Sequence, residues 1–311
     1  MREQRILVVG ELNVDLIVSG LTTFPSLGRE ILAGGLQVVL GSSSAICAAG
    51  LARLGAKVDF LGRVGIDHYG DFVIDQLQRL GVGTDRVIRD SIVRTGVTIS
   101  LTYPEDRALI TYLGCIPHLR AEDVDVSVLR RYHHLHVGSY FLQRGLQAGL
   151  PELFRQARRA GLTVSLDTGC DPEGEWGGEE LLELLEQVDV FLPNEGEVRA
   201  IAGEDDVEEA IRELAKRASL VVVKRGASGA MSIGDGRVIH SPAFRVEVID
   251  TTGAGDSFNA GFIYAYVVRE MELEEALRFA NACGGLSTTG IGGTAAQPTL
   301  EQVLSFLEAR G

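Results

Sequence analysis

LPELFRQARRAG at 150–161, TVSLD at 163–167, GEELLELLEQV at 178–188, VDVFLPN at 188–194, VEEAIRELAKRA at 207–218 and LVVVK at 220–224 form one alternation, and it decides the fold. The first, third and fifth stretches space apolar residues three and four apart, the period of one helix face; the others are short, apolar and rich in β-branched residues. A strand covered on both faces reads as a near-continuous apolar run, and such strands are joined in parallel by crossover helices. Outward from this block, ILVVG at 6–10, VDFLG at 58–62 and LHVG at 135–138 add strands, while AICAAGLARLG at 45–55 and YGDFVIDQLQRLG at 69–81 add helices. The pattern predicts an α/β fold with a mainly parallel central sheet and helices on both faces.

Two stretches break the rhythm. DLIVSG…REILAGGLQVVLG at 15–41 and GVTISLTYPEDRALITYLG at 96–114 read as antiparallel strands, the second turning at PED, and neither leads at once into a helix. They are expected to form a small β-sheet lid at the carboxyl edge of the main sheet. With no repeat, low-complexity segment or linker in view, residues 1–311 are read as a single domain.

The chain has 311 residues, 29 Lys and Arg against 43 Asp and Glu, and a net charge of −14. That excess of acid argues against a phosphate-backbone contact surface and hence against nucleic acid as a partner; small molecules are expected instead. No charged residue falls between Glu30 and Arg53, a span long enough to cross a bilayer. Its glycines, its serines and Gln37 make it too polar for a lipid-facing helix, so no membrane partner is expected. Cys47, Cys115, Cys170 and Cys283 lie far apart with no CxxC pair. They are read as reduced thiols of a cytoplasmic protein.

The chemistry is expected at Asp250-Thr-Thr-Gly-Ala-Gly-Asp256, which runs into SFNAGFIYAYVVREM, a helix by its pattern. Small residues at a helix start let backbone N–H groups converge where the helix dipole is positive, which makes an anion hole of Gly253, Ala254 and Gly255. A carboxylate inside that hole, Asp256, is placed to take a proton from an attacking hydroxyl; the alternative is a plain N-cap. Gly50-LARL-Gly55-Ala-Lys57 lacks the Gly-Lys-Ser/Thr of a P-loop, and Gly253-Ala-Gly255 lacks the third glycine of a dinucleotide fingerprint.

Taken together, DTTGAGDSFNAGF, GRVGIDHYGDFVIDQLQRLGV at 62–82, Gly10-Glu-Leu-Asn13-Val-Asp15, Pro193-Asn-Glu-Gly-Glu197 and Val223-Lys-Arg-Gly-Ala-Ser-Gly229 resemble the PfkB, or ribokinase-like, family of carbohydrate kinases over nearly the whole chain. The resemblance implies the three-layer ribokinase-like fold, ATP and Mg²⁺ as cofactors, and Asp256 as catalytic base. It implies Asn194 and Glu197 as the metal site, where the alternative is a helix cap. It further implies Lys224, Gly226 and Gly229 as the nucleotide turn and Asn281 beside the adenine; some relatives also hold a monovalent cation at the place of Asp250 and Thr252.

Asn13 and Asp15 alternate with Val14 and so share one side of an extended segment, as suits recognition of sugar hydroxyls. Gly41, Ser42, Ile46 and Tyr140 complete the expected acceptor pocket, with His136 and Phe141 as pocket walls or core residues. The sequence departs from the resemblance at LGSSSAI, residues 40–46, where Ser42 replaces a glycine and Ile46 an asparagine that contacts the sugar. Losing that partner shifts substrate preference. The expected activity is ATP-dependent phosphorylation of a primary hydroxyl on a sugar or sugar-like alcohol. The alternatives are a nucleoside kinase of the same fold and a non-catalytic sugar or nucleotide sensor. Unpaired lid edges point to a homodimer formed through the lid.

Overall fold

The computed structural model describes residues 4–103, 107–234 and 236–310. Among them the strands, in chain order, are β1 (Arg5–Val9), β2 (Asn13–Ser19), β3 (Gly35–Leu40), β4 (Lys57–Leu61), β5 (Arg63–Gly65), β6 (Ile88–Asp90), β7 (Gly96–Thr102), β8 (Arg107–Tyr112), β9 (His134–Val137), β10 (Thr163–Leu166), β11 (Val190–Phe191), β12 (Val222–Lys224), β13 (Ala230–Gly234) and β14 (Arg237–Ser241).

The central sheet has the order β11-β10-β9-β1-β4, parallel throughout. A parallel bridge between Phe191 and Val221 carries the alignment on to β12, which begins an antiparallel β12-β13-β14 meander. Alternation along β1 shows why its run is apolar throughout. Ile6 and Val8 enter one buried cluster with Phe60, Phe262 and Leu277, and Leu7 and Val9 enter the other with Leu135, Phe154 and Leu185. Each such side chain contributes about 1.5–3 kcal/mol by leaving water, so helices must cover both faces.

A second, four-stranded sheet has the order β3-β2-β7-β8. β2 with β3 and β7 with β8 are antiparallel, as expected, but β2 and β7, which join the two hairpins, run parallel from Asn13↔Gly96 to Val18↔Leu101. The expected PED turn, 104–106, lies outside the described residues. Two further readings are corrected. LQVVLG leads straight into the helix Ser43–Arg53, and the helix after the glycines is not uniform: Ala254–Phe262 is α-helical and Ile263–Val268 is a π-helical stretch. Among the described residues no helix is long and apolar enough to cross a membrane.

This topology sets the site. The carboxyl ends of β1, β9, β10, β11 and β12 lie side by side; Gly10–Leu12, Gly138–Tyr140, Asp167 and Asn194 follow the first four, and Lys224 ends the fifth. Ligands of parallel α/β sheets bind along that edge.

Candidate active site

Gly253, in the left-handed region at φ 72°, is the N-cap of the helix Ala254–Phe262, with no side-chain cap. Asp256 therefore stands three residues inside the helix and is not its cap. Its carboxyl is pushed up to about 7, chiefly by burial and then by the Asp167 carboxylate, with Lys224 and a hydrogen bond to Ser43 acting in the opposite direction. A carboxyl poised near neutrality at a helix start is suited to proton transfer.

Opposite it lies a charged network built from three strand ends. Lys224 Nζ donates to Asp167 Oδ2 at 2.5 Å and to Asn259 Oδ1 at 3.2 Å, and the Asn259 amide also donates to Asp167. Both charged side chains are nearly closed off, at 12% exposure for Lys224 and 7% for Asp167. Burial works against each charge, but the pair and its hydrogen bonds hold the Asp167 carboxyl below and the Lys224 ammonium above their usual values. Asn194 and Glu197 sit beside them, and Asn194 forms a bridge with Lys224. They make a reciprocal capping box for the helix Glu195–Ala202: Glu197 N–H donates to Asn194 Oδ1 at 2.9 Å, and Asn194 N–H to Glu197 Oε2 at 2.8 Å. Glu197 is also buried, and burial and Asp167 push its carboxyl up to about 7. Among the described residues no three His, Cys, Asp or Glu converge as a closed metal cage. The oxygen-only set of Asn194 and Glu197, with Asp167 nearby, fits a hard cation such as Mg²⁺, which takes one or two carboxylates and completes its shell with water and phosphate.

On the other side, Asn13 and Asp15 do share one side of β2. Asn13 Nδ2 donates to Asp15 Oδ1 at 2.8 Å and to Thr98 Oγ1 at 3.2 Å. A Cβ on Gly41 would stand 2.6 Å from Asn13 Nδ2, so glycine lets the chain pass these polar groups. Asp15 is raised to about 6, mainly by burial, which the Asn13 bond opposes. Ser42 caps the helix Ser43–Arg53 through the Ala45 amide and donates to the Glu11 carbonyl at 2.6 Å, holding a left-handed φ of 74°. Ile46 is 3% exposed and packs under two glycine loops: a Cβ on Gly253 would meet its Cγ2 at 3.0 Å, and one on Gly293 its Cγ1 at 2.9 Å.

Tyr140 follows β9, and its ring meets Phe141 edge-on at 5.2 Å; burial pushes its hydroxyl up to about 12. His136 is a core residue whose Nδ1 shares a 2.8 Å bond with Ser165 Oγ, and burial lowers it to about 4. The structure brings Gly229 and Asn281 together on one segment. A Cβ on Gly229 would stand 2.6 Å from the Ala243 nitrogen, and Asn281 Nδ2 donates to the Ser241 carbonyl at 2.9 Å. Gly226 has φ 53° in the same turn. Asp250 Oδ1 accepts from Thr252 N–H and Oγ1–H, its Oδ2 accepts from Gly292 N–H, and Arg107 of β8 donates to Thr252 Oγ1.

Three buried polar residues were not singled out from the sequence: Asn259 and Glu11, which lie inside the DTTGAGDSFNAGF and Gly10-Glu-Leu-Asn13 stretches, and Asp167, which lies in no motif. Asn259 lies three residues after Asp256, a helical spacing that hints at a shared face. Glu11 accepts from Ser44 N–H at 3.1 Å and Ser139 Oγ at 2.9 Å, so it ties together the segments after β1, β3 and β9. A cavity of about 1100 Å³ at the other end of the sheet, between Thr163, Tyr266 and Glu274, contains none of the site residues.

Known proteins repeat this arrangement of elements. A family model described as pfkB family carbohydrate kinase matches residues 3–300. The ATP-dependent ribose-1-phosphate kinase of Halopiger xanaduensis is 32% identical over 311 residues, covering 98% of this chain and 99% of its own. Among solved structures, a ribokinase II of E. coli in complex with ATP and Mg²⁺ superimposes with a TM-score of 0.87 at 25% identity, over 98% of this chain and 99% of the other. Arabidopsis thaliana ribokinase with ribose and ATP gives 0.83 at 27% identity, over 99% of each.

Proposed function

The chain belongs to the pfkB family of carbohydrate kinases, and on that premise we propose that it moves the γ-phosphoryl group of ATP to a primary hydroxyl of a sugar or sugar-like alcohol. Asp256 takes the hydroxyl proton as the new O–P bond forms. The bond from the γ-phosphorus to the bridging oxygen breaks, and its electron pair leaves with ADP. Backbone amides of Gly253, Ala254 and Gly255 face the charge on the phosphoryl in flight, which is where such catalysis is concentrated.

The observation that carries this reading is the near-neutral carboxyl of Asp256 at the third position of the helix begun by Gly253. A sensor has no use for a proton acceptor there. Asn13, Asp15 and Gly41 form the acceptor side, with Ser42 and Tyr140 at its border. Gly226, Gly229 and Asn281 shape the nucleotide side. Asn194 and Glu197 are the residues that would hold Mg²⁺, which when bound supplies charge neutralisation between the phosphates. The bonds already made by Asp250 and Thr252 give no separate support for a monovalent cation.

The second sheet acts as a lid: Arg107 spans from β8 to Thr252, so closure carries the sheet against the phosphoryl loop and excludes water. Leu36, Val38, Ile110 and Tyr112, on one face by the strand register, leave it an exposed apolar surface, which supports pairing of two copies. The test is ATP consumption measured across sugars, phosphorylated sugars and nucleosides for the wild-type protein and for Asp256→Asn. A sugar-dependent rate that the variant lowers by roughly two to four powers of ten supports the reading. Preference for a nucleoside would move it to the nucleoside branch, and near-normal turnover by the variant would remove the base.

A further inference from the structure

Lys224 was expected in the nucleotide turn with Gly226 and Gly229, yet its side chain runs inward, to Asp167 and Asn259. A Cβ built on Gly255 would meet its Cδ at 3.6 Å and its Nζ at 3.9 Å. The ammonium group thus lies beneath the first turn of the helix that carries Asp256. From this juxtaposition we propose that Lys224 is a further catalytic residue, a cation that completes the anion hole and neutralises the phosphoryl group during transfer. The inference rests on the kinase reading above and assigns to it the charge that the backbone amides lack.

Three features carry it. The first is that the lysine is fixed at its root, because its own N–H donates to the Pro193 carbonyl at 2.9 Å and the residue bridges to Asn194. Next, its head is aimed. Of three N–H donors in an ammonium group, one goes to Asp167 and one to Asn259, which leaves the third for an incoming oxygen. Asn259 belongs to the same helix as Asp256, so base and cation are held by one element. Last, the charge balance requires a cation. Asp167, Glu197 and Asp256 all act on Lys224 electrostatically, and a phosphoryl group entering among three carboxyl groups needs a fixed positive charge.

A purely structural ion pair makes a different forecast, because a buried pair can be replaced by neutral residues of similar size with little loss of stability. The experiment compares wild type, Lys224→Met and the double variant Asp167→Asn/Lys224→Met. The asparagine keeps an oxygen for the Gly169 N–H, and its NH2, standing where Oδ2 accepted from Asn259, can donate to the Asn259 Oδ1 that loss of Lys224 frees once that amide turns over. Both variants should lose roughly a hundredfold or more in kcat, with the acceptor KM within threefold, while the double variant regains the melting temperature lost by the single one. Recovery of kcat along with stability in the double variant overturns the proposal, as does a kcat within threefold of wild type in Lys224→Met.

A second readout needs no acceptor. Calorimetric binding of ADP with Mg²⁺ is compared with and without aluminium fluoride, a mimic of the phosphoryl in flight. Wild type should bind the fluoride complex at least tenfold more tightly than ADP, and the double variant should bind both alike; an equal enhancement in the double variant overturns the proposal. Absence of turnover with every acceptor, alongside a fluoride enhancement that depends on Lys224, would instead count against the acceptor assignment and leave the cation supported.

Discussion

Two glycines of the phosphoryl loop, two positions apart, should respond to alanine in opposite directions. Gly253 holds φ 72°, and a Cβ there would stand 2.7 Å from the Gly293 Cα and 3.0 Å from Ile46 Cγ2. The opposing atom is backbone, and the neighbouring Gly292 amide is tied to Asp250 Oδ2 at 2.8 Å, so the loop across the gap cannot simply retreat. The left-handed conformation costs an alanine roughly 1–2 kcal/mol, and crowding of a packed region adds about 1–3. Gly253→Ala should therefore lose about 2–5 kcal/mol in equilibrium urea unfolding. Gly255 has no positive φ, lies inside the helix, and would bring its Cβ no closer than 3.6 Å to anything but its own helix and chain neighbours. Alanine is the better helix former by up to about 1 kcal/mol, so Gly255→Ala should match or exceed the wild-type stability. Its methyl would nevertheless lie 3.9 Å from the Lys224 ammonium, and if that cation serves the transferred group as proposed, kcat should fall at least about tenfold. A loss below about 0.5 kcal/mol for Gly253→Ala, or above about 1 kcal/mol for Gly255→Ala, would refute the packing argument.

Further expectations concern the carboxyls and Ile46. With Asp256 near 7, kcat should decline as pH drops through neutrality, and a flat profile between pH 5 and 8 would exclude it as the titrating base. The raised carboxyl also makes the folded chain bind an extra proton between its unfolded value near 4 and about 7. That contribution to stability is complete below the window and lost as pH rises through it. Asp256→Asn should consequently gain stability relative to wild type as pH rises from 4 to 8, a difference that cancels the opposing effect of His134 and His136, both lowered by burial; no growth of that difference in urea midpoints would contradict it. Glu197→Gln preserves a capping acceptor for the Asn194 amide, since glutamine serves at that position, but removes the charge. It should leave the melting temperature nearly unchanged and raise the Mg²⁺ concentration for half-maximal rate; an unaltered Mg²⁺ titration would return Glu197 to capping alone. Ile46→Asn would bury an amide against two glycine loops and should cost about 1–3 kcal/mol. A gain in ribose preference with stability intact would show instead that Ile46 faces the acceptor.

The central strands were readable because burial on both faces leaves a mark on every residue of a strand, as the split of Ile6 and Val8 from Leu7 and Val9 shows. The parallel joining of β2 to β7 was not, since periodicity reports which face is buried and says nothing of which partner lies beside it. Within the site, Asn13, Asp15 and the 253–256 segment could be found from local spacing. Asp167 could not. Its partners Lys224 and Asn259 are 57 and 92 residues away, and a charge paired only through the fold leaves no local pattern. The same distance hid the inward course of Lys224, which as part of a turn sequence reads as a solvated cation.

The parallel seam between β2 and β7 also bears on how the chain reaches its native state. The β2–β3 hairpin closes over a short segment, Ser19 to Gly35, whereas the seam begins by joining Asn13 to Gly96. For a flexible chain the longer closure costs roughly 1.5 kcal/mol more entropy. The segment between contains the helices Ser43–Arg53 and His68–Arg79, and once the first docks on β1 and β4 and the second on β5 they bring Gly96 close without that penalty. The seam should then form late in folding, after the first βαβ unit has set, and during synthesis β2 must wait for some eighty residues of later chain. Until then its edge is open to other strands, which makes this seam the place where newly made copies are most exposed to pairing with each other.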